Sequence, residues 1–232
     1  MMSTPAQCRS CTGAAAELFR RLSPDQWARL RDAVVAHVYQ AADVVFHEGT
    51  PPLAVYCVRS GALKLYRRMN HGDEVVVGIR GAGDLVGLRA VLAGLPYWTT
   101  AAALERAIIC AIPAQGFLEL IGENIGLAFQ LLTRLACESR SVETQLVERC
   151  QEHVGKRTAR FLARVAQGSV PLASSRPGHE ISIHREDMAR LIGTTPETLS
   201  RTLHGLSKRG ILELDRKHIK VRNLEALLKL AE

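Results

Sequence analysis

Between His184 and Gly210 apolar residues recur at helical spacing in two short runs. Met188, Ala189, Leu191 and Ile192 form the first, and Leu199, Leu203 and Leu206 the second. Apolar positions every three or four residues predict amphipathic helices. Gly193 separates the runs, as glycine does where a chain must leave helical geometry. Thr195 is a good N-cap and Pro196 a good first helical residue, so the second helix starts there. Opposite its leucine stripe lie Glu197, Ser200, Arg201, His204 and Lys208. Two helices meeting at a glycine turn, the second polar on its outward face, make a helix-turn-helix. Ile211 to Leu214 and Ile219 to Val221 then alternate about the polar turn Asp215 to His218. That pattern predicts a hairpin, placed where a wing would follow a recognition helix.

The earlier chain changes period twice. Met1 to Gly13 is a polar lead-in containing Cys8-Arg9-Ser10-Cys11. Ala14 to Leu22 predicts a short helix. Ser23 and Pro24 start a second, with Trp27, Leu30 and Val34 as its stripe. From about Val38 to Pro113 short alternating runs with glycine turns take over: Val44 to Phe46, Leu53 to Val58, Leu63 to Tyr66, Val75 to Ile79, Ala101 to Leu104 and Ile108 to Ile112. Such runs predict an antiparallel sandwich or roll. From Ala114 the period is helical again, and Leu132, Leu135, Ser139, Val142, Leu146, Arg149 and His153 form a heptad-like seam. Leu132, Leu135, Val142 and Leu146 are the candidate dimer interface; packing on the chain's own roll is the other use of such a face. A two-fold dimer sets two recognition helices about 34 Å apart, so a palindromic target is expected. Gly155 to Gln167 continues helical and basic, and Gly168 to Gly178 reads as a loop. The expected class is α+β. Residues 1–13 form a cysteine-bearing segment, 14–122 a β-roll sensor, 123–153 a dimerisation helix and 154–232 a winged helix-turn-helix.

Charge sharpens this division. The net charge is +7 over 232 residues. His153 to Glu232 holds 15 Lys and Arg against 8 Asp and Glu, leaving 15 of each before it. All the excess therefore surrounds the helix-turn-helix, as expected for a partner such as double-stranded DNA. The outward residues suit base edges. Arginine pairs with guanine O6/N7, glutamate accepts from cytosine N4, and serine serves either role. Glu197 is the most informative, because a carboxylate facing phosphates is otherwise unfavourable. Thr195, His204 and Lys208 complete the outward set, and Arg216, Lys217 and Lys220 on the wing suit phosphates. No apolar run reaches the roughly 18 to 20 residues of a membrane span, and no signal pattern opens the chain, so a cytoplasmic protein without a membrane partner is expected. His37, His47 and His71 are scattered with no H-x-H pair, which argues against a cupin-type metalloenzyme; no enzymatic activity is expected. Six cysteines in a reducing compartment point to metal or redox chemistry instead of a disulfide framework.

A roll, a long helix and a winged helix-turn-helix, in that order, resemble the Crp/Fnr family of bacterial transcription regulators over nearly the whole chain. Val55-Tyr56-Cys57-Val58-Arg59-Ser60-Gly61 is similar to the roll's Y-x-(I/V)-x-x-G strand and turn. Gly83-Asp84-Leu85-Val86-Gly87 is similar to its G-D/E-x-x-G turn. Thr195 to Arg201 resembles the recognition helix of the Fnr (fumarate-nitrate-reduction) branch. The resemblance implies a cyclic-nucleotide-binding-like roll, a TTGAT-N4-ATCAA-like palindrome read by Glu197, Ser200 and Arg201, and a bound homodimer that recruits RNA polymerase as an activator.

The resemblance also frames the sensed signal. In the cyclic-nucleotide branch a glutamate follows the second turn glycine and an arginine comes about ten residues later. Here Leu88 follows Gly87, the later stretch Leu95 to Thr100 has no arginine, and Arg89 is at another offset. This speaks against cAMP, since a phosphate needs a paired cation or several N–H donors. The Fnr branch implies an iron–sulfur cluster held by N-terminal cysteines and one on the roll, with Cys8, Cys11 and Cys110 as the iron ligands. Thiolates are the expected donors. This chain departs from the pattern, because no further cysteine lies between Thr12 and Val55. The fourth ligand is then Cys57, a non-cysteine side chain or an exogenous group. A thiol–disulfide switch at Cys8 and Cys11 is a second reading. A haem-bound gas, with His37, His47 or His71 as axial ligand, another small effector, or effector-independent DNA binding also stay open. Cys57 and Cys110 equally suit core packing. Cys137 and Cys150 suit packing on the long helix or an intersubunit redox pair.

Overall fold

The computed structural model describes residues 14–69, 72, 74–168, 170, 180–181, 183–215 and 218–231. The chain forms two compact units, one of residues up to Arg67 with Ile79–Arg140, the other of Arg68–Gly78 with Ser141–Glu232.

The first unit opens with α1 (Ala14–Phe19) and α2 (Pro24–Ala33). Ser23 starts α2 as a capping box: its Oγ accepts from the Gln26 N–H at 3.2 Å, and Gln26 Oε1 accepts from the Ser23 N–H at 3.1 Å. Eight strands follow, β1 (Val35–Tyr39), β2 (Val44–Phe46), β3 (Ala54–Ser60), β4 (Ala62–Arg68), β5 (Glu74–Gly81), β6 (Leu85–Val86), β7 (Thr100–Ala103) and β8 (Ala107–Pro113), with α3 (Leu88–Ala93) after β6. They make two four-stranded sheets, ordered β1-β8-β3-β6 and β2-β7-β4-β5, which is the expected roll. Gly61 makes the β3–β4 turn possible. Its φ is +81°, and a Cβ there would stand 2.6 Å from the Arg106 carbonyl oxygen. Two of the strands were not legible in the apolar pattern. β1 is mostly exposed along its length, so its alternation is faint. β6 spans two residues, too few to show a period.

α4 (Ala114–Glu123) and α5 (Ile125–Gln151) lie C-terminal to the roll. Asn124 joins them: its Oδ1 accepts from the Leu127 N–H at 3.0 Å and its Nδ2 donates to the Arg21 carbonyl at 3.0 Å. One core cluster unites Leu18, Phe19, Leu22 and Leu30 with Val55, Leu85, Ile112, Phe117, Leu127 and Leu131. The start of α5 thus packs on the roll's own helical side, and the boundary between the two units falls inside α5.

The second unit contains α6 (Val154–Ala166), β9 (Glu180–Ile181), α7 (Arg185–Ile192), α8 (Pro196–Lys208), β10 (Leu212–Leu214), β11 (Ile219–Val221) and α9 (Leu224–Ala231). β10, β11 and β9 form an antiparallel sheet in that order. The predicted hairpin is β10–β11, in the register Leu212↔Val221 and Leu214↔Ile219. β9 lies past the expected loop, and α9 packs on α6.

Candidate nucleic-acid interface and roll cysteines

The helix-turn-helix forms as its sequence dictates. α7 ends at Gly193, which adopts the left-handed conformation at φ 75° and returns its N–H to the Ala189 carbonyl. Thr195 caps α8, its Oγ1 accepting from the Thr198 N–H at 3.2 Å, and Pro196 takes the first helical position. Leu199, Leu203 and Leu206 are buried, as are Met188, Ala189 and Ile192; Leu191 is only half-buried. Arg157 on α6 holds the turn. Its Nε donates to the Ile192 carbonyl and its Nη2 to the Gly193 carbonyl, each at 3.1 Å. A guanidinium at a helix C-terminus satisfies orphan carbonyls and matches the helix dipole.

With the leucines inward, Thr195, Glu197, Ser200, Arg201, His204 and Lys208 are all exposed. Glu197 stands in the first turn of α8. Its carboxyl lies below the usual carboxylate range because its own backbone N–H and the Thr195 hydroxyl donate to it, and Arg201 adds attraction. It therefore presents an ionised acceptor, the form that takes a hydrogen bond from an exocyclic amine. His204 Nδ1 lies 2.8 Å from the Ser200 carbonyl and 3.5 Å from the Ser200 hydroxyl. On the wing, Asp215 closes the turn by donating its N–H to the His218 carbonyl at 2.9 Å. Arg216 and Lys217 lie outside the described residues. Lys220 is exposed on β11, directly opposite Glu213 on one side and Glu180 on the other. Two facing carboxylates make it a poorer phosphate partner than its charge alone suggested.

Arg185 was not singled out from sequence. It takes the first position of α7, where the helix dipole disfavours a cation. Burial pushes its guanidinium down from the usual range, and its buried Nη1 has no hydrogen-bond partner among the described residues. It lines a cavity of about 240 Å³ with Ser200, His204, Leu214 and Asp215, beside the reading face. The signal, a basic residue at a helix start next to a recognition helix, was present, but its lack of a partner needed coordinates.

In the roll, Cys110 on β8 and Cys57 on β3 stand directly opposite each other. They are 3% and 1% exposed, and both belong to the core cluster that includes Leu127 and Leu131 of α5. Cys8 and Cys11 lie outside the described residues. Cys57 and Cys110 are thiols, the donor kind that an iron–sulfur cluster takes, but both are sealed in the core. Among the described residues, no group of three or more His, Cys, Asp or Glu could hold a metal ion. Cys137 is exposed on α5. His37 and His47 are exposed, one on a strand of each sheet or just past it, and His71 lies outside the described residues.

The turn where a cyclic nucleotide would be held is apolar. Leu88 is buried, and Phe46 stacks between Tyr97, at a centroid distance of 4.1 Å, and Tyr56, at 5.2 Å. Trp98 is covered by the Arg67 guanidinium at 4.9 Å, and Arg67 donates to Glu48 at 2.8 Å. That cation is therefore already committed. Asp84 of the same turn accepts from the Gly81 N–H at 2.9 Å and pairs with Arg134 of α5 at 3.0 Å.

Along α5, Leu132, Val142 and Leu146 are exposed, together with Ile125, Phe129 and Val147, which the heptad reading had not included. Leu135 instead packs against the chain's own core, one of the two uses expected for such a face. Among the described residues no helix is long and apolar enough to cross a membrane.

Comparisons with known proteins agree with this geometry. A cyclic nucleotide-binding domain model matches residues 36–124, and a Crp-like helix-turn-helix domain model matches residues 156–230. The chain is 30% identical over 192 residues to the fumarate and nitrate reduction regulatory protein of Yersinia pestis, covering 83% of this chain and 76% of that one. Identity to the Escherichia coli K12 protein of the same name is 29% over the same span. FixK2 from Bradyrhizobium japonicum superposes with a TM-score of 0.75 at 24% identity, covering 86% of this chain and 98% of that one. A putative Crp/Fnr-family regulator from Eubacterium rectale gives 0.75 at 18% identity, with 92% and 97% covered. At these identities the two structures speak for the fold.

Proposed function

Because the chain belongs to the Crp/Fnr family of DNA-binding transcription regulators, we propose that it acts as a homodimer on a TTGAT-N4-ATCAA-like palindrome, switched by oxygen or redox state at its cysteines. The observation that carries the DNA reading is the sorting of α8. Its apolar side is fully buried, while Glu197, Ser200 and Arg201 stand together outside. Arg201 pairs with a guanine, Glu197 accepts from a cytosine amine, and Ser200 takes the base between. Thr195, His204 and Lys208 border them. Arg216 and Lys217 on the wing, and Arg185, whose Nη1 has no partner among the described residues, hold phosphates and set the register.

The exposed apolar residues of α5 support the dimer, since Ile125, Phe129, Leu132, Val142 and Leu146 would otherwise face water. Dimerisation holds two half-sites at one effective concentration, so a modest shift in assembly becomes a large shift in operator occupancy. The bound dimer recruits RNA polymerase.

An iron–sulfur cluster would supply an oxygen-sensitive redox group, and Cys8, Cys11 and Cys110 would hold it, with Cys57 beside Cys110 as the fourth candidate. The chain's own residues then carry the change. Cys57 and Cys110 share a core cluster with Leu127 and Leu131, and Arg134 ties α5 to the Asp84 turn. A repacking of that cluster reaches the dimer helix directly. The apolar turn at Leu88 and the engaged Arg67 support a signal other than cAMP.

Footprinting of the full chain, prepared without oxygen and then exposed to air, tests this. Symmetric protection that weakens in air is expected, along with iron in the anaerobic protein. Equal protection in both states, with no iron after reconstitution, contradicts the redox reading and leaves an effector-independent DNA-binding protein.

A further inference from the structure

The pairing of β3 with β8 puts two cysteines in one row of the sheet. Across the strands the row runs Ala36, Cys110, Cys57 and Leu85. Residues directly opposite in an antiparallel ladder have Cα atoms about 4.5 or 5.5 Å apart, depending on the pair type, and their side chains share a face. Disulfides bridge Cα atoms about 4.4 to 6.8 Å apart. Either pair type therefore falls in range without backbone movement. Both residues carry thiols in this structure.

We propose that Cys57 and Cys110 are a dithiol site that closes to a cross-strand disulfide when a peroxide oxidises it. One thiolate attacks a peroxide oxygen, giving a sulfenic acid and, after protonation, one water. The second thiolate attacks the sulfenic sulfur; the S–S bond forms and a second water leaves. Two thiols and one hydrogen peroxide thus yield one disulfide and two waters. The site is distinct from the Cys8-x-x-Cys11 pair, and it works in the chain without a cluster, because Cys110 cannot serve both.

Two features suit it to switching. The ladder on either side holds the two Cα atoms in range, so the bond opens and closes without strand movement. The row is also near an edge, since only the two-residue β6 lies beyond β3. Local opening of such an edge admits a molecule as small as peroxide. Closure alters packing beside Leu127 and Leu131, in the core cluster those α5 residues share.

The test uses the full chain carrying C8S, C11S, C137S and C150S, so that only the pair remains. After hydrogen peroxide, denaturation and alkylation, both thiols should be lost, the mass should fall by two hydrogens, and dithiothreitol should restore the starting state. Two thiols still open to alkylation, or oxygen added to each separately, would overturn the proposal. If this variant does not fold, peptide mapping of the peroxide-treated wild type decides. A Cys57–Cys110 linked peptide supports the site, and linkage confined to other cysteines refutes it. Operator binding is scored on the same samples, so failure of the DNA reading and failure of this one are separately visible.

Discussion

The helix α8 and the core of the roll solve opposite problems. α8 is specified by neighbours in sequence: Gly193, Thr195 and Pro196 set its start, and a three-leucine stripe sets its roll. The core of the roll is specified by residues far apart. Cys57 and Cys110 meet only because β3 and β8 pair across more than fifty residues of chain. A local device can be changed one outward side chain at a time without disturbing the fold. A pair built on strand register is tied to the core, where any change is felt in packing.

Predictions sharpen this contrast, the largest effect first. Leu203→Ala removes a side chain that is 1% exposed and should cost about 2 to 5 kcal/mol, read as earlier unfolding of the DNA-binding unit. If the roll's own transition moved equally, the two units would not be separable. Gly61→Ala should cost about 3 kcal/mol in the roll, from its φ of +81° and the 2.6 Å approach to the Arg106 carbonyl. Chemical denaturation of the purified variant measures it, and a loss within experimental error would refute the close approach.

Smaller effects concern surface chemistry. Lys208→Ala should weaken binding about equally on all sequences and lower the salt slope by about 1, while leaving base preference intact. A changed preference would move Lys208 into the base-reading set. Burial pushes the Tyr56 hydroxyl up to about 12, helped by Tyr97, whose charge repels it and whose oxygen accepts its hydrogen bond. The folded state therefore favours neutral Tyr56. Its contribution is complete below pH of about 10, the unfolded value, and is lost as pH rises toward 12. Ultraviolet titration should show a late phenolate absent from Tyr56→Phe; an unchanged curve would contradict the half-buried setting of Tyr56 beside Tyr97.

The same contrast explains what could be read from the chain. The turn, the cap and the buried leucines of the helix-turn-helix were legible because each is a local steric or hydrogen-bonding demand. Most roll strands showed as alternation, and the order of elements followed. β1 and β6 were missed, one for its exposure and the other for its brevity. Leu135 lies inward because α5 has two apolar sides, and a heptad count does not say which side meets the roll. The cysteine pair and the Arg185 Nη1, unpartnered among the described residues, depend on three-dimensional placement that no spacing encodes.

The central claim is that the outer face of α8 reads bases. Its most direct test is an operator half-site changed one base pair at a time, titrated against wild type, Glu197→Ala and Arg201→Ala. Each variant should lose about 1 to 3 kcal/mol of discrimination at a single position and keep it elsewhere. A uniform loss at every position, or none, would mean these side chains touch only the backbone or nothing at all.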